Sequence, residues 1–307
     1  MIDILLASYN GEKYIAEQID SILNQTFDDW ILYIKDDCST DNTATIILEY
    51  EKKYKDKIKI ILSDKQSGSA KNNFFSMLKY SKSDYIMLCD QDDIWMPDKV
   101  EITYNAMLKA EQENNDIPVL VHTDLKVVDE NLNVISDSLL KMQKLDSRKD
   151  KINNLLVQNI VTGCTVMVNK KLINYINKPP QHAVMHDWWF ALIAASLGKI
   201  VFIDKKTVLY RQHGMNSVGA KDVNSKDYLF KMLKNVKMIK KSFEYGYIQS
   251  NELLNTIGEY LEKEDYELIN QYSLLIDYNK LGKIKVFKKY RMWKNSVIKA
   301  LGQLLFC

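Results

Sequence analysis

The 307-residue sequence predicts an α/β fold in which helices flank a mostly parallel, doubly wound central sheet. Three observations support this fold class. Short apolar runs typical of buried strands alternate with stretches whose apolar residues recur at helical spacing. Polar clusters directly follow several strand candidates, and ligands of such sheets bind at the carboxyl ends of the strands. Hydrophobic residues make up 46% of the chain, which is enough for a sizeable core.

Strand and helix candidates alternate through the first 120 residues. The strand candidates are residues 2–7, 30–34, 58–62, 85–88 and 119–121, and the helix candidates are residues 14–23, 43–54, 70–80 and 97–113. Asp41 stands where it can cap the second helix, and Pro97 suits the first turn of the fourth. Repeated strand–helix–strand units of this kind are typical of a parallel sheet.

The remainder of the chain mixes both element types before it becomes helical. Its candidates are a hairpin between residues 127–128 and 134–135, strands at 165–168 and 208–210, and a helix at 188–197. From about residue 222 the pattern is helical and rich in polar residues. We therefore predict an α/β domain over residues 1–220, with halves that meet near residue 120, and a helical C-terminal region over residues 221–307.

Charge, cysteine content and hydropathy exclude several classes of protein. The 42 Lys and Arg residues nearly balance the 40 Asp and Glu residues, and no recognised nucleic-acid motif accompanies the basic stretches. Cys38, Cys89, Cys164 and Cys307 lie outside metal-ligand spacing and predict buried free thiols in a reducing cytosol. Residues 1–10 are typical of a strand and not of a signal peptide, and no stretch reaches the roughly 18 apolar residues of a membrane span. A cytoplasmic protein that binds no nucleic acid is expected.

Three polar clusters that follow strand candidates give the first functional signal. They are Ser8-Tyr9-Asn10, Asp36-Asp37-Cys38-Ser39 and Asp90-Gln91-Asp92-Asp93. Because the carboxyl ends of parallel strands share one edge of a sheet, we expect these separate loops to converge on one edge in space.

The turn from Asp90 to Asp93 has the composition of a divalent-cation site. Mg²⁺ and Mn²⁺ prefer oxygen ligands, and the alternation of side chains points Asp90 and Asp92 the same way. A cation held there would stabilise the charge of a diphosphate leaving group. A lone pair of aspartates after a strand more often caps the next helix, a role open to Asp93, but three aspartates in four positions favour the metal site.

The other two clusters suit the recognition of a nucleoside. A carboxylate at Asp36 or Asp37 can accept hydrogen bonds from a base N–H or from ribose hydroxyls, and the ring of Tyr9 can stack on a base. The alternatives are that these carboxylates cap the helix after residues 39–41 and that Tyr9 is an ordinary surface tyrosine.

With these residues assembled, the sequence resembles the family-2 glycosyltransferases, which have the GT-A fold. The resemblance covers roughly residues 1–218 and rests on Ala7-Ser8-Tyr9-Asn10-Gly11, Asp36-Asp37-Cys38-Ser39-Thr40-Asp41, Asp90-Gln91-Asp92-Asp93 and His186-Asp187-Trp188-Trp189. The sequence also resembles a subgroup of this family, the bacterial rhamnosyltransferases of cell-wall and capsular polysaccharides. The residues that carry this second resemblance are Gln91 with Ile94-Trp95, His186-Asp187-Trp188-Trp189 and Tyr210-Arg211-Gln212-His213-Gly214.

The resemblance implies an inverting enzyme that transfers a sugar from a nucleotide-diphosphate donor to a saccharide hydroxyl, with L-rhamnose from dTDP-rhamnose as the sugar of the subgroup. It implies a nucleotide-sugar half over residues 1–120 and an acceptor half over 120–220. It also implies Mg²⁺ or Mn²⁺ as the cofactor, with Asp92 and Asp90 as ligands. The donor contacts that it implies are Ser8, Tyr9, Asp36, Asp37, Asp90 and Asp93.

Asp187 is the general base that the resemblance implies. An acceptor hydroxyl is a poor nucleophile until its proton is removed, and a carboxylate within about 3 Å can remove it. The neighbours His186, Trp188 and Trp189 are expected to line the acceptor region and to make Asp187 a better base. The alternative is that Asp187 is the N-cap of the helix that starts there.

His213 and Arg211 follow a strand candidate and extend the predicted site. Imidazole can complete a metal site and a guanidinium can bind a diphosphate, so His213 is a candidate metal ligand and Arg211 a candidate donor contact. Either residue can instead be structural. Gly163 is a candidate for the acceptor region or part of an ordinary tight turn, and His122 and His182 are expected to be structural.

Basic and apolar residues are interleaved at 226–241 and 280–306, and residues 280–299 contain eight basic residues and no acidic one. Basic amphipathic helices of this kind bind anionic membranes. That would suit a lipid-linked saccharide acceptor and a peripheral position on the inner face of the cell membrane. The alternative is a set of packed helices with a solvated lysine face.

Other functions share parts of this pattern. A sugar-phosphate nucleotidyltransferase would carry a Gly-rich, basic loop after the first strand, where this sequence has Ser8-Tyr9-Asn10-Gly11-Glu12. A noncatalytic nucleotide-sugar-binding protein would be expected to have lost the metal carboxylates or the base, and Asp90, Asp92 and Asp187 are all present. Within the family, a UDP-sugar-dependent glucosyl- or galactosyltransferase is the alternative to a rhamnosyltransferase.

Overall fold

The computed structural model describes residues 1–114, 116–214 and 235–307, and these residues divide into two compact units that interleave along the chain. The first unit contains residues 1–139, 162–174 and 201–214, and the second contains residues 140–161, 175–200 and 235–307. The predicted boundary at residue 220, and most of the basic stretch from 226 to 241, lie outside the described residues. Residues 140–161 and 175–200 group with the C-terminal helices in the second unit, and the domain division at residue 220 stays a prediction.

A mixed sheet forms the core of the first unit. Its strands are β1 (Ile2–Ser8), β2 (Trp30–Asp36), β3 (Ile58–Ile60), β4 (Tyr85–Asp90), β5 (Ile94–Trp95), β6 (Val119–Val128), β7 (Val134–Ser136), β8 (Met167–Asn169) and β9 (Lys199–Arg211). They lie in the order β3-β2-β1-β4-β8-β6-β9-β5, with β7 paired to β6.

The predicted parallel sheet is confirmed for one half of this order. β1 pairs parallel with β2 and β4, and β2 pairs parallel with β3. The other half is antiparallel where β8 meets β4 and β6, where β5 meets β9, and in the predicted β6–β7 hairpin. A parallel neighbour requires a long crossover, usually helical, whereas the short 129–133 turn folds β7 back on β6.

Helices account for most of the remaining described structure. They are α1 (Ile15–Leu23), α2 (Thr43–Lys53), α3 (Ala70–Met77), α4 (Lys99–Glu113), α5 (Leu139–Met142), α6 (Ile152–Leu155), α7 (Lys170–Ile173), α8 (His186–Leu197), α9 (Val236–Ile257), α10 (Lys263–Ser273), α11 (Lys280–Tyr290) and α12 (Val297–Phe306). The four helices predicted in the first 120 residues are present as α1 to α4. The N-cap of α2 is Asn42 and not the predicted Asp41, whose carboxylate one residue earlier accepts hydrogen bonds from the N–H and hydroxyl of Thr43 at 3.0 and 2.5 Å. Pro97 lies two residues before α4 and not in its first turn.

Central strand β1 explains why an aspartate stands in an apolar run. Its neighbours Ile2, Ile4, Leu5 and Leu6 are fully buried, as in a strand that lies between two others and is covered on both faces. Asp3 is buried too, and its carboxylate accepts four hydrogen bonds from groups of residues 81–83, at 2.7–2.9 Å. A buried carboxylate is tolerated when hydrogen bonds satisfy it in this way.

The second unit is helical. Helix α9 buries Phe243, Tyr247, Leu253 and Ile257 along one side, which matches the 3.6-residue period of a helix packed on a core. No helix among residues 1–114, 116–214 and 235–307 combines the length and apolar character that a membrane crossing requires.

The prediction of four buried thiols is confirmed for two of them. Cys89 and Cys164 are buried, Cys307 is half-buried, and Cys38 is exposed. Cys38 has a positive φ of 62°, in the tight turn directly after β2. Its position in a turn beyond the end of the strand accounts for the exposed thiol.

Candidate active site

The loops after β1, β2 and β4 meet at one edge of the sheet, as the strand order requires. The hydroxyl of Ser8 donates to Asp36 Oδ1 at 3.0 Å and so joins the first two loops. The amide of Gln91 joins the first and third, because its Oε1 accepts from the N–H of Tyr9 and its Nε2 donates to the carbonyl of Tyr9, both at 2.9 Å. Two of the three predicted clusters therefore bond directly to the third, at Ser8-Tyr9-Asn10.

Gln91 has a positioning role that the sequence did not reveal. Its side-chain amide occupies the space beside Gly11, where an added Cβ would collide with Gln91 Oε1. A glycine at this position lets the loop after β1 approach the loop after β4 closely. The residue type at position 11 was the available signal, but the identity of its neighbour depends on tertiary structure.

Asp36 and Asp37 order the loops around them. The carboxylate of Asp36 accepts from the N–H and hydroxyl of Ser39 at 2.8 and 2.5 Å. Asp37 is buried and accepts from the backbone N–H groups of Ser67 and Gly68 at 2.5 and 3.2 Å. Both carboxylates are thus at the predicted edge, and their contacts with a nucleoside stay a prediction.

Asp92 and His213 are brought together from positions 121 residues apart. His213 Nε2 lies 2.7 Å from Asp92 Oδ2, and both side chains are largely shielded from solvent. The imidazole ring packs against the ring of Tyr14 with 4.8 Å between centroids, which fixes its orientation. Two of the three predicted metal ligands therefore form one close pair at the edge of the sheet.

Arg211 ties the end of β9 to this edge. The side chain is only 3% exposed, and its guanidinium lies over the ring of Tyr14 at 4.6 Å. It donates to the carbonyls of Asp92 and Glu130 at 3.0 and 2.9 Å and to Glu17 Oε2 at 2.5 Å. Arg211 therefore holds the aspartate turn in place, and its predicted contact with a donor diphosphate stays a prediction.

Asp93 lies beneath the turn and away from solvent. Its side chain is fully buried, and Oδ1 accepts from the backbone N–H of Arg211 at 3.2 Å. Burial, together with the nearby carboxylates of Asp92 and Asp90, raises the pKa of Asp93 well above its usual range. A contact of Asp93 with the donor sugar stays a prediction, while its observed contact fastens β9 to the turn.

A buried ammonium group lies close to the same turn. Lys99 is fully buried with its Nζ 4.6 Å from the centre of the Trp95 ring, and burial lowers its pKa to about 8. Cys164, Cys89 and Asp93 act on this pKa in the opposite direction, by less than burial does. This lysine carried no signal in the sequence, because a lysine near a helix start is usually solvated.

The residues at this edge fit a divalent cation. Asp92 and His213 place a carboxylate oxygen and an imidazole nitrogen 2.7 Å apart, and a cation can replace the proton that they share. Ligand atoms of Asp90, Asp93 and Cys164 also lie within 4.8 Å of one another. The oxygen-rich donor set suits Mg²⁺ or Mn²⁺.

Asp187 lies in the second unit, in the first turn of α8. The N-cap of that helix is Met185, so the alternative that Asp187 is the N-cap is wrong. Asp187 is half-buried, and its Oδ1 accepts from the N–H of Trp188 at 2.6 Å. The indole N–H of Trp188 donates to the carbonyl of Leu155 at 2.6 Å, which anchors the start of α8.

The other predicted acceptor residues are mostly buried. His186 and Trp189 lie in the core of the second unit, and burial lowers the pKa of His186 to about 3, so its ring is neutral. Gly163 is buried in the first unit, in the short helical turn Gly163–Thr165. The prediction of acceptor contacts for these residues and for Trp188 stays a prediction, while His122 is buried as expected of a structural histidine.

Glu17 is a residue that the sequence analysis missed, and it supplies a test of this geometry. We expect Glu17→Gln to raise the half-saturating Mn²⁺ concentration several-fold, by roughly 3- to 10-fold, because the Arg211 that holds the Asp92 turn loses its anionic partner. Calorimetric titration of the protein with Mn²⁺ checks this, with the exposed Glu49→Gln as the matched control. An unchanged affinity of Glu17→Gln for Mn²⁺ would contradict the positioning role.

The sheet order and its flanking helices define a GT-A-like fold, which two solved structures share. S. aureus TarS, residues 1–349 in complex with UDP, matches with a TM-score of 0.57 and 18% identity over 91% of this chain and 73% of TarS. The mannosyltransferase PcManGT from Pyrobaculum calidifontis, in complex with GDP-Man and Mn²⁺, matches with a TM-score of 0.53 and 11% identity over 99% and 87% of the two chains. At these identities the likeness is one of fold.

Residues 3–176 match glycosyl transferase family 2, and the chain belongs to that family. The dTDP-rhamnosyl transferase RfbG of Shigella flexneri is 32% identical over 70% of this chain and 74% of its own. WfgD of Escherichia coli, a UDP-Glc:alpha-D-GlcNAc-diphosphoundecaprenol beta-1,3-glucosyltransferase, is 30% identical over 63% of this chain and 70% of its own. The predicted family and fold are thereby confirmed.

Proposed function

We propose that the protein is an inverting, metal-dependent hexosyltransferase that transfers L-rhamnose from dTDP-rhamnose to a hydroxyl of a lipid-linked saccharide during cell-surface polysaccharide synthesis. The observation that carries the proposal is the Asp92–His213 pair, 2.7 Å apart at the edge where the loops after β1, β2 and β4 meet. The similarity to a dTDP-rhamnosyl transferase supports dTDP-rhamnose as the donor. The similarity to an enzyme named for a diphosphoundecaprenol-linked sugar supports a lipid-linked saccharide as the acceptor.

The first unit binds the donor in this proposal. Asp92 and His213, together with Asp90 of the same turn, would hold Mg²⁺ or Mn²⁺, and the cation would stabilise the charge on the departing nucleoside diphosphate. The exposed ring of Tyr9 stacks on the base, and the Asp36 loop borders the ribose. Arg211 keeps the Asp92 carbonyl fixed, so the turn does not have to reorganise during the reaction.

Asp187 supplies the general base. Its carboxylate takes the proton of the acceptor hydroxyl while the hydroxyl oxygen attacks the anomeric carbon. The bond between that carbon and the diphosphate oxygen breaks on the opposite face, so the configuration inverts. Oδ1 is oriented by the Trp188 N–H at 2.6 Å, and the indole of Trp188 is itself anchored to Leu155.

A donor screen tests the proposal. The purified protein is incubated with Mn²⁺ and a panel of nucleotide sugars, and the release of nucleoside diphosphate is measured with and without EDTA. We expect dTDP-rhamnose to give the fastest release and EDTA to stop it. Release from no donor in the panel would contradict a catalytic role and favour a noncatalytic nucleotide-sugar-binding protein.

A UDP-glucose-dependent glucosyltransferase is the second candidate, and the similarity to WfgD favours it. The same screen separates the two, because a preference for UDP-glucose over dTDP-rhamnose selects the second candidate. In both cases we propose that the enzyme works peripherally on the inner face of the cell membrane, where a lipid-linked acceptor is anchored.

A further inference from the structure

Helix α12 exposes three of its apolar residues and fully buries a glutamine. Gln303 is fully buried, where its Nε2 donates to the carbonyl of Met292 at 2.8 Å and its Oε1 accepts from the N–H of Lys294 at 3.1 Å. On the outside, Val297, Leu301 and Leu305 are 77%, 53% and 58% exposed. A helix on the surface of a globular protein normally has the reverse arrangement.

The exposed apolar residues form a stripe. Val297, Leu301 and Leu305 are four residues apart, so they share one face of α12. Lys280 Nζ donates to the carbonyl of Leu305 at 3.1 Å, which places the start of α11 beside the end of α12. Leu281, the next residue of α11, is 72% exposed. Single exposed leucines are common, but a stripe of this kind marks a binding surface.

The charge beside the stripe identifies the kind of partner. On α11, Lys285 and Lys288 follow Leu281 at helical spacing, and all three side chains are exposed. Residues 280–307 carry eight basic and no acidic side chains. A layer of anionic headgroups over an apolar interior complements a leucine stripe bordered by lysines.

We propose that the C-terminal face, formed by Leu281, Lys285 and Lys288 of α11 and by Val297, Leu301 and Leu305 of α12, binds the surface of an anionic lipid bilayer. Helix α12 lies in the plane of the interface with its leucines at the boundary of the acyl chains, and the lysines of α11 contact headgroup phosphates. The inference rests on the proposed function for its purpose, since a lipid-linked acceptor resides at that surface. The binding itself requires neither donor nor acceptor.

Vesicle flotation of the full chain tests this inference. We expect the protein to float with vesicles of phosphatidylglycerol and phosphatidylcholine, and to bind pure phosphatidylcholine vesicles about tenfold or more weakly. Leu301→Glu with Leu305→Glu should lower the partition coefficient on anionic vesicles by about tenfold or more, because two charges would have to enter the acyl boundary. Leu48→Glu with Leu62→Glu changes two exposed leucines of the first unit in the same way and should bind as the wild type does.

Three results would overturn the inference. The wild-type protein could remain in the unbound fraction, or it could bind neutral vesicles as strongly as anionic ones. The Leu301/Leu305 variant could also bind anionic vesicles as strongly as the wild type does. A wild-type dimer that this variant converts to a monomer, measured by light scattering, would assign the stripe to self-association instead. Release of nucleoside diphosphate from the soluble donor, measured on the same samples, reports the proposed function separately, so each can fail alone.

Discussion

Asp92→Asn is expected to lower glycosyl transfer by more than about 100-fold and to remove its dependence on Mg²⁺ or Mn²⁺. The substitution keeps the size of the side chain but removes the negative charge that faces His213 Nε2 at 2.7 Å. A neutral amide is a poor ligand for a hard divalent cation, so the charge on the leaving diphosphate would lose its counterion. The effect is expected in the rate at saturating donor as well as in the metal requirement.

Initial rates of nucleoside diphosphate release over a Mn²⁺ series measure this effect. Asp137→Asn is the matched control, because Asp137 is a highly exposed aspartate of the same unit that pairs with Lys126 at the surface. The control should behave as the wild type does. An Asp92→Asn enzyme with wild-type turnover and an unaltered Mn²⁺ response would exclude Asp92 from the metal site.

Asp187→Asn is expected to reduce transfer by about 10²- to 10⁴-fold while the affinity for the donor stays within about twofold. The amide oxygen can still accept the N–H of Trp188, so the first turn of α8 keeps its structure. An amide cannot take up the proton of the acceptor hydroxyl. The loss should therefore appear in the chemical step and not in donor binding.

Transfer rates and calorimetric titration with dTDP separate these two quantities. Asp265→Asn is the control, since Asp265 is also a half-buried aspartate in the first turn of a helix of the second unit, α10. Equal turnover by Asp187→Asn and the wild type would refute the assignment of the base. A parallel loss of dTDP binding would instead place Asp187 at the donor.

The sequence predicted the parallel half of the sheet because its signals are local. Each of β1, β2 and β4 is an apolar run that precedes or follows a periodic helix, and right-handed crossovers then leave few arrangements. In the antiparallel half, the sequence predicted the β6–β7 hairpin from its turn, but not the pairing of β8 with β4 and β6 or of β5 with β9. β5 has only two residues, and so short a strand is defined by its partner rather than by periodicity.

The site shows the same division. The convergence of the aspartate loops followed from the topology, because all three loops stand at carboxyl ends of neighbouring parallel strands. Glu17, Gln91 and Lys99 could not be found in this way. Each interacts with a residue that is distant in the sequence. Glu17 bonds to Arg211, 194 residues away, and Gln91 bonds to Tyr9, 82 residues away. Lys99 lies near Cys164, 65 residues away.

The assignment of chain segments to the two units could not be predicted from the sequence pattern either. The predicted acceptor half contributes 120–139, 162–174 and 201–214 to the first unit, and 140–161 and 175–200 to the second. Hydrophobic periodicity identifies α6 and α8 as elements but not the core on which each packs.

In the proposed mechanism Asp92 and His213 would hold one divalent cation beside the diphosphate of the donor. Crystals grown with dTDP and Mn²⁺, measured at the manganese absorption edge, would locate this cation. We expect one strong anomalous peak next to Asp92, His213 and the diphosphate. A diphosphate bound at this edge with no manganese on Asp92, or a peak held by residues elsewhere, would refute the metal site.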